Sequence, residues 1–65
     1  TDNYKEAVYY YNYAIDIKPD YTKAFYGLGE CYAKLGMNAE ACQSFKAAEK
    51  FGDVKAISQR LWYCK

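Results

Sequence analysis

Apolar residues fall at steps of three and four along nearly the whole chain, which is the spacing of one face of an α-helix. Tyr4, Ala7, Val8, Tyr11, Ala14 and Ile15 project into one narrow sector, with Asp2-Asn3 placed as a capping pair ahead of them. Pro19-Asp20 ends this helix, because the residue before a proline is pushed out of the helical region and proline cannot donate to the preceding turn. A second helix is predicted from about Tyr21 to Leu35, capped by Asp20, with Phe25, Leu28, Gly29, Tyr32 and Leu35 inward. A third, about Asn38 to Phe51, turns Ala41, Cys42, Phe45 and Ala48 inward. A fourth runs from about Val54 to the end, capped by Asp53, with Val54, Ile57, Leu61 and Cys64 on one stripe and Lys55, Ser58, Gln59 and Lys65 away from it. Gly36 and Gly52 stand where a left-handed residue closes the second and third helices. Gly29 lies in mid-helix, where glycine costs about 1 kcal/mol relative to alanine, so it predicts a close approach by a neighbouring helix.

The pattern also repeats every 34 residues. Glu6-Ala7 recurs as Glu40-Ala41, Tyr11 as Phe45, Ala14 as Ala48 and Ile17 as Phe51. Small, aromatic, small and bulky residues in fixed order at that period mark a helical repeat array, whose helix pairs bury their apolar faces only by stacking on neighbours. The expected fold is all-α, a helix-turn-helix repeat array or α-α superhelix (solenoid), with four helices in one unit over residues 1–65. A chain of this length buries only about 60% of the surface its unfolded form exposes, so a neighbour, a partner or a longer parent is expected to support it.

Charge and chemistry narrow the function by exclusion. Nine Lys or Arg face eight Asp or Glu with no run of one sign, which argues against nucleic acid or an anionic membrane as the main partner. No apolar run is long enough to span a bilayer, and the first residues carry no basic-then-apolar signal segment. The sequence has three cysteines, Cys31, Cys42 and Cys64, with no Cys-x-x-Cys and no histidine. That odd count suits free thiols in a reducing compartment, so a cytoplasmic location is expected and no metal. Cys31 and Cys42 are expected to fill the core, leaving Cys64 as the most reactive. No Ser-His-Asp or Cys-His set can be assembled, Asp16 and Asp20 straddle a proline turn as a solvated helix end and a cap, and no phosphate-binding glycine loop exists. The chain does not read as an enzyme, and no cofactor is expected.

Phe25, Leu28-Gly29, Tyr32, Gly36, Ala41, Phe45 and Ala48 resemble the tetratricopeptide repeat, a helix-turn-helix unit of 34 residues whose pattern places an aromatic, Leu-Gly, Tyr, Gly, Ala, an aromatic and Ala in these slots. The closing proline slot holds Asp53 instead. Ala7, Tyr11, Ala14 and Pro19 match the preceding half-repeat, so the resemblance covers residues 1–53. It divides the chain into the second helix of a truncated repeat (1–19), one complete repeat (21–53) and a C-terminal capping helix (54–65). One further period sets Gln59, Trp62 and Tyr63 where an aromatic, leucine and glycine belong, so the last helix is either an end cap or a divergent repeat. A helix that should cover the first one is expected either from a longer array or from another copy. Tyr9, Tyr10 and Tyr13 lie outside the inner sector of the first helix, and Tyr10 with Ile17 forms a second apolar strip for self-association.

The resemblance implies a right-handed superhelix whose first helices line a concave groove for peptides or partner helices, hence a scaffold or adaptor that binds protein. The groove residues it points to are Lys23, Tyr26, Gly27, Glu30 and Lys34, with two ammonium groups and an aromatic surface for an acidic or mixed peptide and Gly27 leaving room for it. The competing reading is a solvated face held by a Glu30 to Lys34 pair worth a few tenths of a kcal/mol. A clamp for the C-terminal carboxylate of chaperone tails is disfavoured. Lys23 matches one of its lysines, but Tyr26 and Glu30 replace a lysine and an asparagine, and Gly27 replaces an arginine. Two alternatives to peptide binding stand beside it: a self-association element using the tyrosine-rich face, and a regulatory segment of a larger enzyme.

Overall fold

The first three helices stop at residues that do not favour a helix, Pro19, Gly36 and Gly52. The computed structural model describes residues 3–64 and places four helices, α1 (Tyr4–Ile17), α2 (Thr22–Lys34), α3 (Asn38–Lys50) and α4 (Lys55–Tyr63), with no strand among the described residues. α1 and α3 begin one 34-residue period apart. Asn3 Oδ1 accepts from the Glu6 N–H at 3.3 Å while Glu6 Oε1 accepts from Asn3 Nδ2 at 3.0 Å, a reciprocal cap that satisfies a free donor of the first turn. Asp2, expected to share that role, lies outside the described residues. Gly36 (φ 76°) and Gly52 (φ 105°) close α2 and α3 in the left-handed region, where a side chain would be strained. Asp53 Oδ1 accepts from the Lys55 N–H at 3.0 Å and so opens α4 as expected.

The start of α2 differs from expectation. Tyr21, extended after the Pro19-Asp20 turn, takes the cap position, and no side chain caps the helix. Thr22 Oγ1 instead donates to the Phe51 carbonyl at 3.2 Å, tying the start of α2 to the end of α3.

Packing is sequential: α1 lies on α2, α2 on α3, and α3 on α4. The middle helix therefore needs two buried faces. Ala24, Gly27, Leu28, Gly29 and Cys31 are all buried on α2, three of them outside the single stripe that the spacing predicts. The core is Ala41, Phe45, Ala48 and Ala56, with Phe45 only 1% exposed. Its ring meets Tyr26 edge-on at 5.4 Å and Tyr63 in a stack at 5.6 Å, while Phe25 stacks on Phe51 at 5.7 Å. On α1 the six predicted inner residues are half-buried and none is fully buried, because only one side of that helix has a neighbour.

α4 overturns two expectations. Three of the four residues of the predicted stripe, Val54, Ile57 and Leu61, are exposed, Val54 at 75% and Leu61 at 62%, and Cys64 is half-buried. The face turned to α3 is Ala56, Arg60 and Tyr63: the Ala56 methyl permits close approach, the Tyr63 ring stacks on Phe45, and Arg60 pairs with Glu49. A helix so rotated covers the Phe45 core with Ala56 and Tyr63 while presenting Val54, Leu61 and Trp62 outward. Cys64 is not a free, reactive thiol and Cys42 is not a core filler. The two sulfurs form a disulfide that joins the second turn of α3 to the residue after α4 across a separation of 22 residues.

Candidate functional site

α2 carries all five residues of the expected groove, and the structure does not bring them together. Lys23, Glu30 and Lys34 are exposed. Tyr26 is half-buried, packed on Phe45 with the Lys55 ammonium 5.2 Å from its ring centroid, so it belongs to the junction of α2, α3 and α4. Gly27 is buried, and a Cβ there would come within 2.6 Å of the Tyr11 hydroxyl oxygen. The room it leaves is filled by α1, which corrects its assignment to an open groove.

Glu30 and Lys34 line a hollow of about 370 Å³ between α2 and α4, together with Ala33, Phe45, Gln59 and Tyr63. Two side chains of this hollow come from the irregular last helix, and the sequence carried no signal for them: Gln59 sits on the polar side of the predicted stripe, and only the rotation of α4 turns it inward. The hollow has an aromatic floor in Phe45 and Tyr63, and a cation, an anion and an amide at its rim.

Lys23 lies elsewhere. It borders a groove of about 490 Å³ along the seam of α1 and α2, with Ala7, Tyr10, Tyr11, Ala14, Tyr21 and Ala24. Tyr9, Tyr10, Tyr13 and Ile17 are all exposed on α1, Tyr10 at the edge of this groove, and the Tyr9 and Tyr10 rings meet edge-on at 5.5 Å.

Cys31 is the free buried cysteine. Burial, and secondarily the Glu30 carboxylate, push its thiol pKa up from the ordinary 9.0, because a thiolate there would lose its hydration and face a like charge. It is held protonated and unreactive at neutral pH. The cytoplasmic expectation rested on three free thiols, and the Cys42–Cys64 pair removes that premise. Among the described residues no cluster of three or more His, Cys, Asp or Glu is placed to hold a metal ion, and no described helix is long and apolar enough to cross a membrane.

A family model described as TPR repeat matches residues 2–36, taking in α1 and α2. No curated protein and no solved structure matches the chain.

Proposed function

Because the chain belongs to the tetratricopeptide repeat family, whose repeats generally mediate protein-protein interaction, we propose that it is a non-catalytic module that holds an extended peptide or partner helix along the hollow between α2 and α4. The observation that carries this reading is the convergence of Glu30 and Lys34 from one helix with Gln59 and Tyr63 from another over an aromatic floor. Such a hollow offers a peptide what water also offers it, an amide for its backbone and charges for its side chains, plus apolar area that water does not. Lys34 favours an acidic residue in the ligand, while Glu30 places a basic or N–H-donating group beside it. Gly27, whose space is taken by Tyr11, plays no part in it. A disulfide-bonded chain suits an oxidising compartment, so a cytoplasmic location is not part of the proposal.

The test is selection from a displayed library of random peptides on the immobilised chain. Enriched sequences are expected to carry acidic residues and to lose about tenfold or more in affinity against Lys34→Glu, the scale of one close charge contact made repulsive. Equal enrichment on the wild-type and Lys34→Glu chains would remove the hollow as the binding site.

A second reading is favoured by a separate observation, the exposed strip of Tyr9, Tyr10, Tyr13 and Ile17 beside an open groove. Tyrosine surfaces of this kind supply large, rigid contact area with a polar tip, the composition of interface hot spots. Copies of the chain are expected to associate through this strip, with an average mass in sedimentation equilibrium that rises with concentration and returns to monomer in Tyr10→Asp/Ile17→Asp. A concentration-independent monomer mass for the wild-type chain would rule it out.

A further inference from the structure

We propose that the Cys42–Cys64 disulfide is a reducible clasp that seats α4 on α3, so that the thiol-disulfide state of the surroundings decides whether the hollow between α2 and α4 is formed. The role of that hollow in binding rests on the reading above; the clasp does not.

α4 is short and buries little of its own side-chain surface. It has nine residues, below the length at which a helix persists in water without tertiary support. Ala56 is its one fully buried residue, and Val54, Leu61 and Trp62 are largely exposed. Its attachments to the other helices include the stack of Tyr63 on Phe45, the Lys55 ammonium over the Tyr26 ring, and the pair of Arg60 with Glu49, whose side chains are about a third exposed and screened by water. The start of α4 is fixed by Asp53, which accepts from the Lys55 N–H, and the far end is fixed by Cys64. α2 and α3 are different, since they share Phe45, Gly29 and the Phe25–Phe51 stack without any covalent link. Removing the bond therefore loosens one helix selectively.

The bond is also approachable. Cys42 and Cys64 are both half-buried, whereas Cys31 is buried and offers no exchange partner. A small dithiol attacks one sulfur as its thiolate, the S–S bond breaks, and the departing sulfur takes up a proton. The second thiol of the reductant then displaces the other cysteine. The reductant ends as a cyclic disulfide, having given two electrons, and Cys42 and Cys64 end as two protonated thiols. Once α4 leaves, the Phe45 ring loses the cover of Tyr63, and Gln59 and Tyr63 are withdrawn from the hollow while Glu30 and Lys34 stay on α2.

Amide hydrogen exchange on the whole chain tests this, with and without dithiothreitol, alongside Cys42→Ser/Cys64→Ser. α4 amides are expected to exchange about tenfold or more faster in both the reduced chain and the double variant, while the interior amides of α2 and α3 keep most of their protection. The double variant is expected to be indifferent to dithiothreitol. Unchanged protection of α4 on reduction overturns the clasp, as does an equal loss across all four helices, which would make the bond a global staple. The reduced wild-type chain serves if the double variant fails to fold. If α4 loosens as expected but peptides selected on the oxidised chain bind the reduced chain equally well, the clasp stands and the hollow falls as their site.

Discussion

Phe45→Ala is expected to leave much of the chain unfolded at room temperature. Phe45 is the largest fully buried side chain and is boxed between Tyr26 and Tyr63, with the Gly29 backbone beneath it. Truncating a buried phenylalanine to alanine costs about 3–5 kcal/mol, the lost transfer energy plus the cavity left behind. The cavity here cannot collapse easily, because two of its walls are aromatic rings set by separate helices. At about 0.05–0.15 kcal/mol per residue, a chain of 65 residues holds only about 3–10 kcal/mol in total. Loss of far-UV helical circular dichroism at room temperature, or a urea midpoint moved close to zero, is the expected result. A cost below about 2 kcal/mol would show that the core does not pivot on this ring.

Gly29→Val is expected to cost about 3 kcal/mol, at the upper end for overpacking. A Cβ at position 29 would lie 2.7–2.9 Å from three carbons of the Phe45 ring, and that ring has nowhere to go. The gain in helix propensity from replacing glycine is under about 0.5 kcal/mol for valine and does not offset it. Gly27→Ala is the informative control. Its Cβ would also press on a ring, but on the far end of Tyr11, a half-buried side chain of α1 whose outer side is open and which can swing away. Urea unfolding of both variants should separate them by about 2 kcal/mol. Equal losses would mean that Phe45 moves as freely as Tyr11, contrary to its burial.

The two glycines show what was legible in the chain and what was not. Gly29 could be read as a close approach from sequence because a mid-helix glycine needs a reason, and its partner turned out to be Phe45 of α3. Gly27 follows the same rule, but its place on the α2 face opposite the one predicted stripe points to an opening, whereas Tyr11 fills it. A helix packed on both sides has no free back, and periodicity in a single chain does not count neighbours.

The helices, their stops and the repeat architecture were determined by the sequence itself, because they rest on local physics. Residue spacing sets which faces are apolar, Asn3 and Asp53 supply caps, and Gly36 and Gly52 supply the left-handed closures. The tertiary structure alone decided how α4 is rotated, which cysteines meet, and which charged residues share a hollow. α4 offered two usable faces, an aliphatic stripe of Val54, Ile57 and Leu61 and a mixed face of Ala56, Arg60 and Tyr63. The second was chosen because a small side chain, a ring and a cation fit the seam made by Ala48, Phe45 and Glu49. That choice depends on the shape and charge of another helix, a long-range match that no periodicity along one segment encodes.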